Sequence, residues 1–333
     1  MSTILVTGGA GFIGSHVCEA LLRRADTVVA LDSFNDYYDP QIKRKNIVEV
    51  QATATGIHAE FHLVEGDIRD FVFLEHVFSK YNIDAVIHLA AYAGVRPSIE
   101  NPQLYTEVNV LGTVNILEAM KNHNVKRHVF ASSSSVYGNN KKIPFSEADP
   151  VDHAISPYAA TKKAGEIMCH TYHHLYAINT ACLRFFTVYG PRQRPDLAIH
   201  KFTRLIMEDK PIPFYGDGSM RRDHTYIDDI VDGVVKALDW TSSEERRYDI
   251  FNLGNSQTIS LSELVKTIEH VVGKKAVLKR MPQPPGDVDC TYADISHARK
   301  VLGYESNTTL ALGIEWFYNS IIRNPTDSDN WDE

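Results

Sequence analysis

The chain has 333 residues, of which 44% are hydrophobic and 23% charged, and its formal net charge at pH 7 is -8. This length and composition predict a soluble globular protein with a substantial core, built as one large domain plus a smaller lobe or as two domains. The acidic balance and the lack of a long basic run argue against nucleic-acid binding, and the strand-sized apolar stretches exclude a transmembrane helix.

The first half of the chain alternates apolar, strand-sized runs with helix-sized segments. The predicted strands lie at residues 3–7, 27–31, 60–64, 84–88, 127–132 and 180–185. The predicted helices lie at residues 11–24, 70–80, 102–123 and 157–177. This alternation is typical of parallel βαβ units with helices on both faces of the sheet. It predicts an α/β fold with a Rossmann-like, doubly wound parallel sheet.

The pattern changes after Phe186, and the second half predicts a smaller C-terminal α/β lobe. Residues 187–226 are richer in Pro, Gly and Arg than the first half and contain turn-like segments. The remaining elements are predicted at residues 227–239 (helix), 248–253 (strand), 294–302 (helix) and 308–322 (helix). The domain assignment is residues 1–186, rejoined by 227–253, for the first domain, 187–226 and 254–323 for the lobe, and 324–333 for a polar tail.

A glycine-rich segment, Thr7–Gly14, joins the first strand to the first helix. Gly8 would permit a tight turn, Gly11 would let the backbone approach a pyrophosphate, and Gly14 would let helix and strand pack closely. The start of the helix offers free N–H groups and the positive end of its dipole to phosphates. Because the motif has the strand–turn–helix context that it requires, it predicts a dinucleotide site.

Asp32 ends the second predicted strand, where a carboxylate would accept hydrogen bonds from the adenosine ribose. Its negative charge would repel a 2'-phosphate, so NAD is favoured over NADP, although a simple turn residue is the alternative interpretation. Further cofactor contacts are assigned to the start of the first helix and to the ends of the third and fourth strands, at Phe12, Ile13, Asp67, Ile68, Leu89, Ala90 and Ala91.

Tyr158 and Lys162 are four residues apart in a predicted helix, so both side chains lie on one face about one turn apart. Ser156 can cap that helix, and Pro157 suits its first turn. An ammonium beside a phenol favours the phenolate, which would lower the pKa of Tyr158 and make it a base near neutral pH. Such a pair also occurs on solvated helix faces, so neighbouring motifs must decide between these interpretations.

The combined motifs resemble the extended short-chain dehydrogenase/reductase family, specifically its nucleotide-sugar epimerases and dehydratases. The resemblance covers residues 3 to about 320 and includes the segment Ser132–Gly138. It implies bound NAD, a UDP- or dTDP-linked sugar in the C-terminal lobe, and a catalytic set of a hydroxyl, a tyrosine and a lysine. It assigns these roles to Ser133, Tyr158 and Lys162 (which also holds the nicotinamide ribose), and places Asn109 and Ser132 on the cofactor side.

Within that resemblance, the residues after the catalytic hydroxyl favour epimerisation. Dehydratases and decarboxylases of the family place acidic residues there, because elimination or enolate protonation needs an extra acid–base group. Here the positions hold Ser134 and Ser135, which are poor acids.

The segment Phe185–Asp196, together with Tyr37–Asp39 and Ala93–Arg96, resembles UDP-glucuronate 4-epimerases. The resemblance implies that Ser134, Ser135 and Thr187 engage the C6 carboxylate through hydroxyl hydrogen bonds, aided by an arginine. Tyr158 would take the O4 proton while hydride passes from C4 to NAD⁺. The transient 4-keto sugar would then rotate about its diphosphate tether and receive hydride on its opposite face.

The UDP group is assigned by the same resemblance. Arg222 would bind the diphosphate, and Pro213 and Tyr215 would contact uracil. UDP-glucose epimerases carry a later diphosphate arginine where this chain has Pro284, three residues before the expected substrate residue Asp287. Arg192 or Arg96 is therefore expected to supply part of the missing charge.

Several alternatives remain open, as do the compartment and the assembly. The alternatives are a UDP-glucose or UDP-N-acetylglucosamine 4-epimerase, a UDP-glucuronate decarboxylase, and a non-enzymatic NAD-binding redox sensor. The early start of the first strand leaves no room for a signal peptide, and four scattered cysteines suggest reduced thiols of a cytoplasmic protein. No metal site is expected from the histidines near residue 173. A homodimer is expected through the helices predicted at 102–123 and 157–177.

Overall fold

The computed structural model describes residues 2–282 and 290–323. The strands in these residues are β1 (Thr3–Thr7), β2 (Thr27–Asp32), β3 (Phe61–Glu65), β4 (Ala85–His88), β5 (Arg127–Ser133), β6 (Asn179–Phe185), β7 (Thr187–Tyr189), β8 (Ile212–Tyr215), β9 (Arg221–Tyr226), β10 (Tyr248–Leu253), β11 (Thr258–Ser260) and β12 (Leu278–Met281). The α-helices are α1 (Phe12–Arg23), α2 (Pro40–Gly56), α3 (Phe71–Tyr81), α4 (Val95–Glu100), α5 (Pro102–Thr106), α6 (Gly112–Asn122), α7 (Pro157–Tyr176), α8 (Ala198–Met207), α9 (Ile227–Trp240), α10 (Leu261–Val272), α11 (Ser296–Leu302) and α12 (Leu310–Arg323).

Seven parallel strands form the main sheet in the order β10-β6-β5-β4-β1-β2-β3. Strands β1, β4 and β5 at its centre are almost wholly buried, because helices cover both faces. The order runs outward in both directions from β1 and β4, which creates a crevice at the carboxyl ends of these strands. The predicted doubly wound α/β fold is confirmed.

Residues after β6 build a second group of strands and then return to the main sheet. Strands β11, β9 and β7 form a three-stranded sheet, and β12 pairs with β8. Helix α9 packs against α1, β5 and β6, and β10 then pairs with β6 in parallel. The described helices include none that is long and apolar enough to cross a membrane.

The helix predicted over residues 102–123 differs from the structure, which has α5, a π-helical turn at Glu107–Leu111, and α6. A π-helical turn widens the helix by one residue and is frequent at functional sites. Here the turn contains Asn109, whose side chain bonds the backbone of Tyr92.

Helix α2 was not predicted, because polar side chains hide its periodicity. Its buried positions follow helical spacing, but they include Lys43 and Asn46. The Asn46 amide donates to the carbonyl of Ala10 at 2.9 Å. Helix α2 therefore docks beside the glycine turn through hydrogen bonds as well as apolar contacts.

Candidate functional site

A cavity of about 610 Å³ opens at the carboxyl ends of the main-sheet strands. Of the residues assigned to the cofactor, only Asn109 is absent from its lining. The others all line it: Gly8, Gly11, Phe12, Ile13, Gly14, Asp32, Asp67, Ile68, Leu89, Ala90, Ala91, Ser132, Tyr158 and Lys162. This is the place where open α/β sheets bind ligands. We call it the main cavity.

The glycine turn is shaped for a closely approaching ligand. Gly8 has φ +70°, and a Cβ there would lie 2.8 Å from the backbone nitrogen of Ala90. At Gly14 a Cβ would lie only 2.1 Å from the carbonyl oxygen of Gly8, so α1 starts in contact with the turn. Gly11 precedes α1 without a side-chain cap, which leaves the first N–H groups of the helix for an anion. These features fit the pyrophosphate of a dinucleotide.

The carboxylate of Asp32 is buried and held in place. It accepts the backbone N–H of Phe34 at 2.9 Å and that of Ala10 at 3.2 Å. Lys43, which also lines the main cavity, lies 3.4 Å from the same carboxylate. The sequence analysis missed Lys43, although Asp39 and Pro40 are a start signal for the helix that carries it.

Asn109 is not among the residues that line the main cavity, and its assignment as a cofactor contact stays a prediction. Its side chain accepts the N–H of Tyr92 at 2.9 Å and donates to the Tyr92 carbonyl and to the hydroxyl of Thr161. It therefore ties the segment after β4 to α7, and positions the cavity wall.

The three residues of the expected catalytic set meet in the main cavity. Ser156 caps α7 by accepting the N–H of Ala159 at 3.1 Å, as the sequence predicts. Lys162 donates to the carbonyl of Ala131 at 2.7 Å, and burial lowers its pKa to about 8. Ser133, the last residue of β5, accepts the N–H of Ser135 at 3.2 Å.

The effect predicted for Lys162 on Tyr158 is not found. Burial raises the pKa of Tyr158, while a hydrogen bond with Ser133 and the positive charge of Arg194 oppose that rise. The ammonium of Lys162 is directed at Ala131 instead. The sequence shows the spacing of the two residues but not this direction.

Small hydroxyl side chains cluster around Tyr158. Ser134 and Ser135 lie in a 3-10 turn that follows β5, and Thr187 begins β7. With Ser133 they line the main cavity together with Tyr158. Their hydroxyl groups can hydrogen-bond an anionic or polyhydroxylated ligand.

Arg192 lines neither the main cavity nor the second cavity described below, so the structure does not bring it together with the other residues assigned to the substrate. Its guanidinium pairs with Glu19 of α1 at 2.7 Å and with Glu49 of α2. Arg194 reaches the main cavity instead, where it lies 5.1 Å from the ring centre of Tyr37 and forms a bidentate pair with Asp196. The motif contains both arginines, and the backbone of Arg192 is left-handed (φ 63°), which the sequence does not indicate.

A second cavity, of about 260 Å³, collects the residues assigned to the UDP group. Arg96, Pro213, Tyr215 and Arg222 all line it. The guanidinium of Arg96 lies 5.6 Å from the ring centre of Tyr215. Pro284 and Asp287 lie outside the described residues.

Two short segments line both cavities. Gly94 faces the main cavity and Arg96 the second. Likewise, Arg194 lines the main cavity and Asp196 the second. One extended ligand could therefore reach from the Tyr158 region to the two arginines of the second cavity.

The histidines near residue 173 have other partners. His170 and His173 lie against the ring of Tyr248, and His173 also bonds the carbonyl of Ile178. Among the residues that the structure describes, no group of three or more His, Cys, Asp or Glu side chains could hold a metal.

Comparison with known proteins connects these cavities to a family. The family model described as GDP-mannose 4,6 dehydratase matches residues 5–316. UDP-glucuronate 4-epimerase 4 of Arabidopsis thaliana is 46% identical over 331 residues, spanning 95% of this chain and 74% of the relative. UDP-glucuronate 4-epimerase of Thermodesulfobacterium geofontis is 43% identical over 316 residues, spanning 95% and 94%.

A solved structure is similar over almost its whole length. UDP-glucuronic acid 4-epimerase from Bacillus cereus, in complex with UDP-glucuronic acid and NAD, superimposes with a TM-score of 0.88. It is 37% identical, and the match covers 96% of this chain and 99% of the other.

Proposed function

The chain belongs to the GDP-mannose 4,6 dehydratase family, and we propose that within it the protein is an NAD-dependent 4-epimerase of UDP-glucuronate and UDP-galacturonate. The observation that carries this proposal is the main cavity, which Ser134, Ser135 and Thr187 line together with Tyr158. Hydroxyl groups at these positions can bind a carboxylate without supplying the acid that elimination needs. NAD is the cofactor, as in the similar B. cereus enzyme.

The main cavity fits NAD through three features. The glycine turn and the start of α1 would hold the pyrophosphate, and Asp32 with Lys43 would hold the adenosine ribose. Lys162, directed along the cavity wall, would hold the nicotinamide ribose. When bound, NAD supplies a reversible acceptor for the hydride on the sugar C4.

The chain's own residues handle the proton and the carboxylate. Tyr158, as phenolate, removes the O4 proton and later returns it, while Ser133 hydrogen-bonds O4. A 4-keto uronate is a β-keto acid that loses carbon dioxide easily. Ser134, Ser135 and Thr187 therefore hold the carboxylate in an orientation that discourages cleavage.

The UDP end occupies the second cavity. Arg222 and Arg96 would bind the diphosphate, because guanidinium groups form paired hydrogen bonds with phosphate oxygens. Pro213 and Tyr215 would contact uracil. Arg194, at the boundary, adds positive charge near both the sugar and Tyr158.

We also propose a homodimer that works in the cytoplasm. Four large apolar side chains are about half exposed on neighbouring parts of α4, the π-helical turn and α7: Ile99, Leu111, Ile167 and Leu175. An exposed cluster of this kind favours a partner surface. In the part of the chain that the structure describes, none of the four cysteines forms a disulfide, which agrees with a reducing compartment.

A panel of UDP-sugars tests the function. UDP-glucuronate, UDP-glucose and UDP-N-acetylglucosamine are each incubated without added NAD, and the products are separated by chromatography. We expect UDP-galacturonate from UDP-glucuronate, and NAD released from the denatured protein. Turnover of UDP-glucose but not UDP-glucuronate would show the substrate to be wrong, and UDP-pentose as the main product would indicate a decarboxylase.

The Tyr158→Phe variant separates an enzyme from a redox sensor. Without the phenol, turnover should fall roughly 10²- to 10⁴-fold while NAD content stays unchanged. Full activity in this variant would contradict the catalytic role.

A further inference from the structure

Glu166 and Arg184 form a salt bridge inside the protein that the proposed mechanism does not use. Each side chain is only 1% exposed. Arg184 donates from Nε to one carboxylate oxygen at 2.8 Å and from Nη2 to the other at 2.9 Å. The cost of removing two charges from water is about as large as the attraction between them. Replacing the pair by apolar side chains would therefore leave the stability of the protein about the same. The pair therefore suggests a role other than stability.

Glu166 belongs to α7, the helix that carries Tyr158 and Lys162. It follows Lys162 by one turn of α7 and Tyr158 by two, so the three side chains share one face. Its carboxylate also accepts the hydroxyl of Ser132 at 2.7 Å, and Ser132 adjoins Ser133 in β5. One carboxylate thus joins α7 to the strand that ends in the catalytic hydroxyl.

Arg184 connects the same pair to the serine turn. Its Nη1 donates to the hydroxyl of Tyr137 at 3.0 Å, and the guanidinium lies 4.8 Å from the centre of that ring. Tyr137 is the last residue of the 3-10 turn that presents Ser134 and Ser135. Its hydroxyl donates in turn to Asn252 of β10 at 2.7 Å.

The network continues toward the C-terminal segment. The amide of Asn252 donates to the carbonyls of Phe145 and Asp294, at 2.9 Å and 3.1 Å. Burial opposes ionisation of Glu166, but the hydrogen bonds and charge of Arg184 and the Ser132 hydroxyl hold its pKa below the ordinary value. Glu166 therefore stays ionised, and the connection keeps its geometry at neutral pH.

We infer that Glu166 and Arg184 are positioning residues, which fix the distance between Tyr158 on α7 and the hydroxyl groups of Ser133–Ser135. Neither residue lines the main cavity, so both act through the elements they join. The inference rests on the proposed function, since it concerns the geometry of that reaction. A displacement of about 1 Å between reacting groups can cost roughly 100-fold in rate.

Kinetics of the holoenzyme test the inference. Glu166→Gln keeps the shape of the side chain but removes its charge, and Arg184→Lys keeps the charge but loses the bidentate geometry. We expect each to lower kcat roughly 10- to 100-fold, with KM for UDP-glucuronate within about threefold and NAD content unchanged. Lys163→Gln is the matched control, because Lys163 lies 3.3 Å from the same carboxylate but is partly exposed. Its kcat should stay within about twofold.

A purely structural role gives a different result. Glu166→Gln would then lower the melting temperature while kcat of the folded enzyme stays at the wild-type value, and that outcome overturns the inference. If Glu166→Gln does not fold, Tyr137→Phe removes the two hydrogen bonds that the Tyr137 hydroxyl makes with Arg184 and Asn252, and leaves the salt bridge in place. We expect it to lower kcat roughly threefold or more, and an unchanged kcat would again overturn the inference. If the wild type acts on another UDP-sugar, the substrate proposal fails. The kcat values of the same variants, measured with that sugar, still test the role of Glu166 and Arg184.

Discussion

The protonation of Tyr158 depends on residues that lie outside its own helix. Burial raises the pKa of the phenol, and the Ser133 hydroxyl and the Arg194 charge act against that rise. Phenolate is the form that accepts the O4 proton, so kcat should fall as the pH falls through the Tyr158 pKa in the complex. Arg194 therefore helps to set the lowest pH at which the enzyme works.

Replacing Arg194 should move that limit. Arg194→Gln removes a positive charge that favours the phenolate, so the pKa of Tyr158 rises and the acidic limb of kcat shifts to higher pH. Measuring kcat with saturating UDP-glucuronate between about pH 5.5 and 9.5 would show it. Arg204→Gln removes an arginine from α8 that lines neither cavity, and it should leave the limb in place. An unshifted limb in Arg194→Gln would contradict the role of its charge.

Arg192 should affect stability rather than substrate binding. Arg192→Met leaves Glu19 and Glu49 without their shared cation, and Glu19 is mostly buried. We expect the free energy of unfolding to fall by roughly 1–3 kcal/mol, with KM for UDP-glucuronate within about twofold. Urea denaturation and steady-state kinetics measure the two effects. A large rise in KM at unchanged stability would instead indicate that Arg192 contacts the substrate.

At the level of elements, the sequence predicts what depends on local pattern. The glycine turn, the cap at Ser156 and the strands of the main sheet follow from residues that are close in the chain. The sequence could not show that Asn109 faces the Tyr92 backbone, or that Arg194 rather than Arg192 faces the cavity. Asn109 lies in a π-helical turn and Arg192 has a left-handed backbone, and neither feature has a local sequence signal. Helix α2 was missed because Lys43 and Asn46 occupy buried positions on it.

The contact between the glycine turn and α1 gives a sharp test at this level. In Gly14→Ala the added Cβ would meet the Gly8 carbonyl at 2.1 Å, so the turn must open. We expect the purified variant to contain less than about a tenth of the wild-type NAD, measured after denaturation. Gly56→Ala is the control, because a Cβ at this helix end meets nothing within 4 Å. It should retain NAD and gain roughly 0.5 kcal/mol of stability. Equal NAD contents in the two variants would count against the pyrophosphate assignment.

At the scale of the whole molecule, the proposed dimer can be tested on one helix face. Ile167 on α7 is 55% exposed, and a charge there should prevent apolar association. We expect Ile167→Lys to elute as a monomer when its mass is measured by light scattering after size exclusion. Val72→Lys, at an apolar residue of α3 that is 80% exposed, is the control and should remain a dimer. A wild-type monomer would refute the assembly.

The adjoining cavities have a consequence for inhibitor chemistry. Because Gly94 and Arg194 line the main cavity, and Arg96 and Asp196, two residues further along the chain, line the second, ligands bound in the two cavities are near neighbours. A short linker between two weak fragments, one for each cavity, would make the second binding step intramolecular. Effective concentrations for short linkers reach the millimolar range. The boundary between the two cavities, which the proposed UDP-sugar crosses, is thus also the place to join two synthetic fragments.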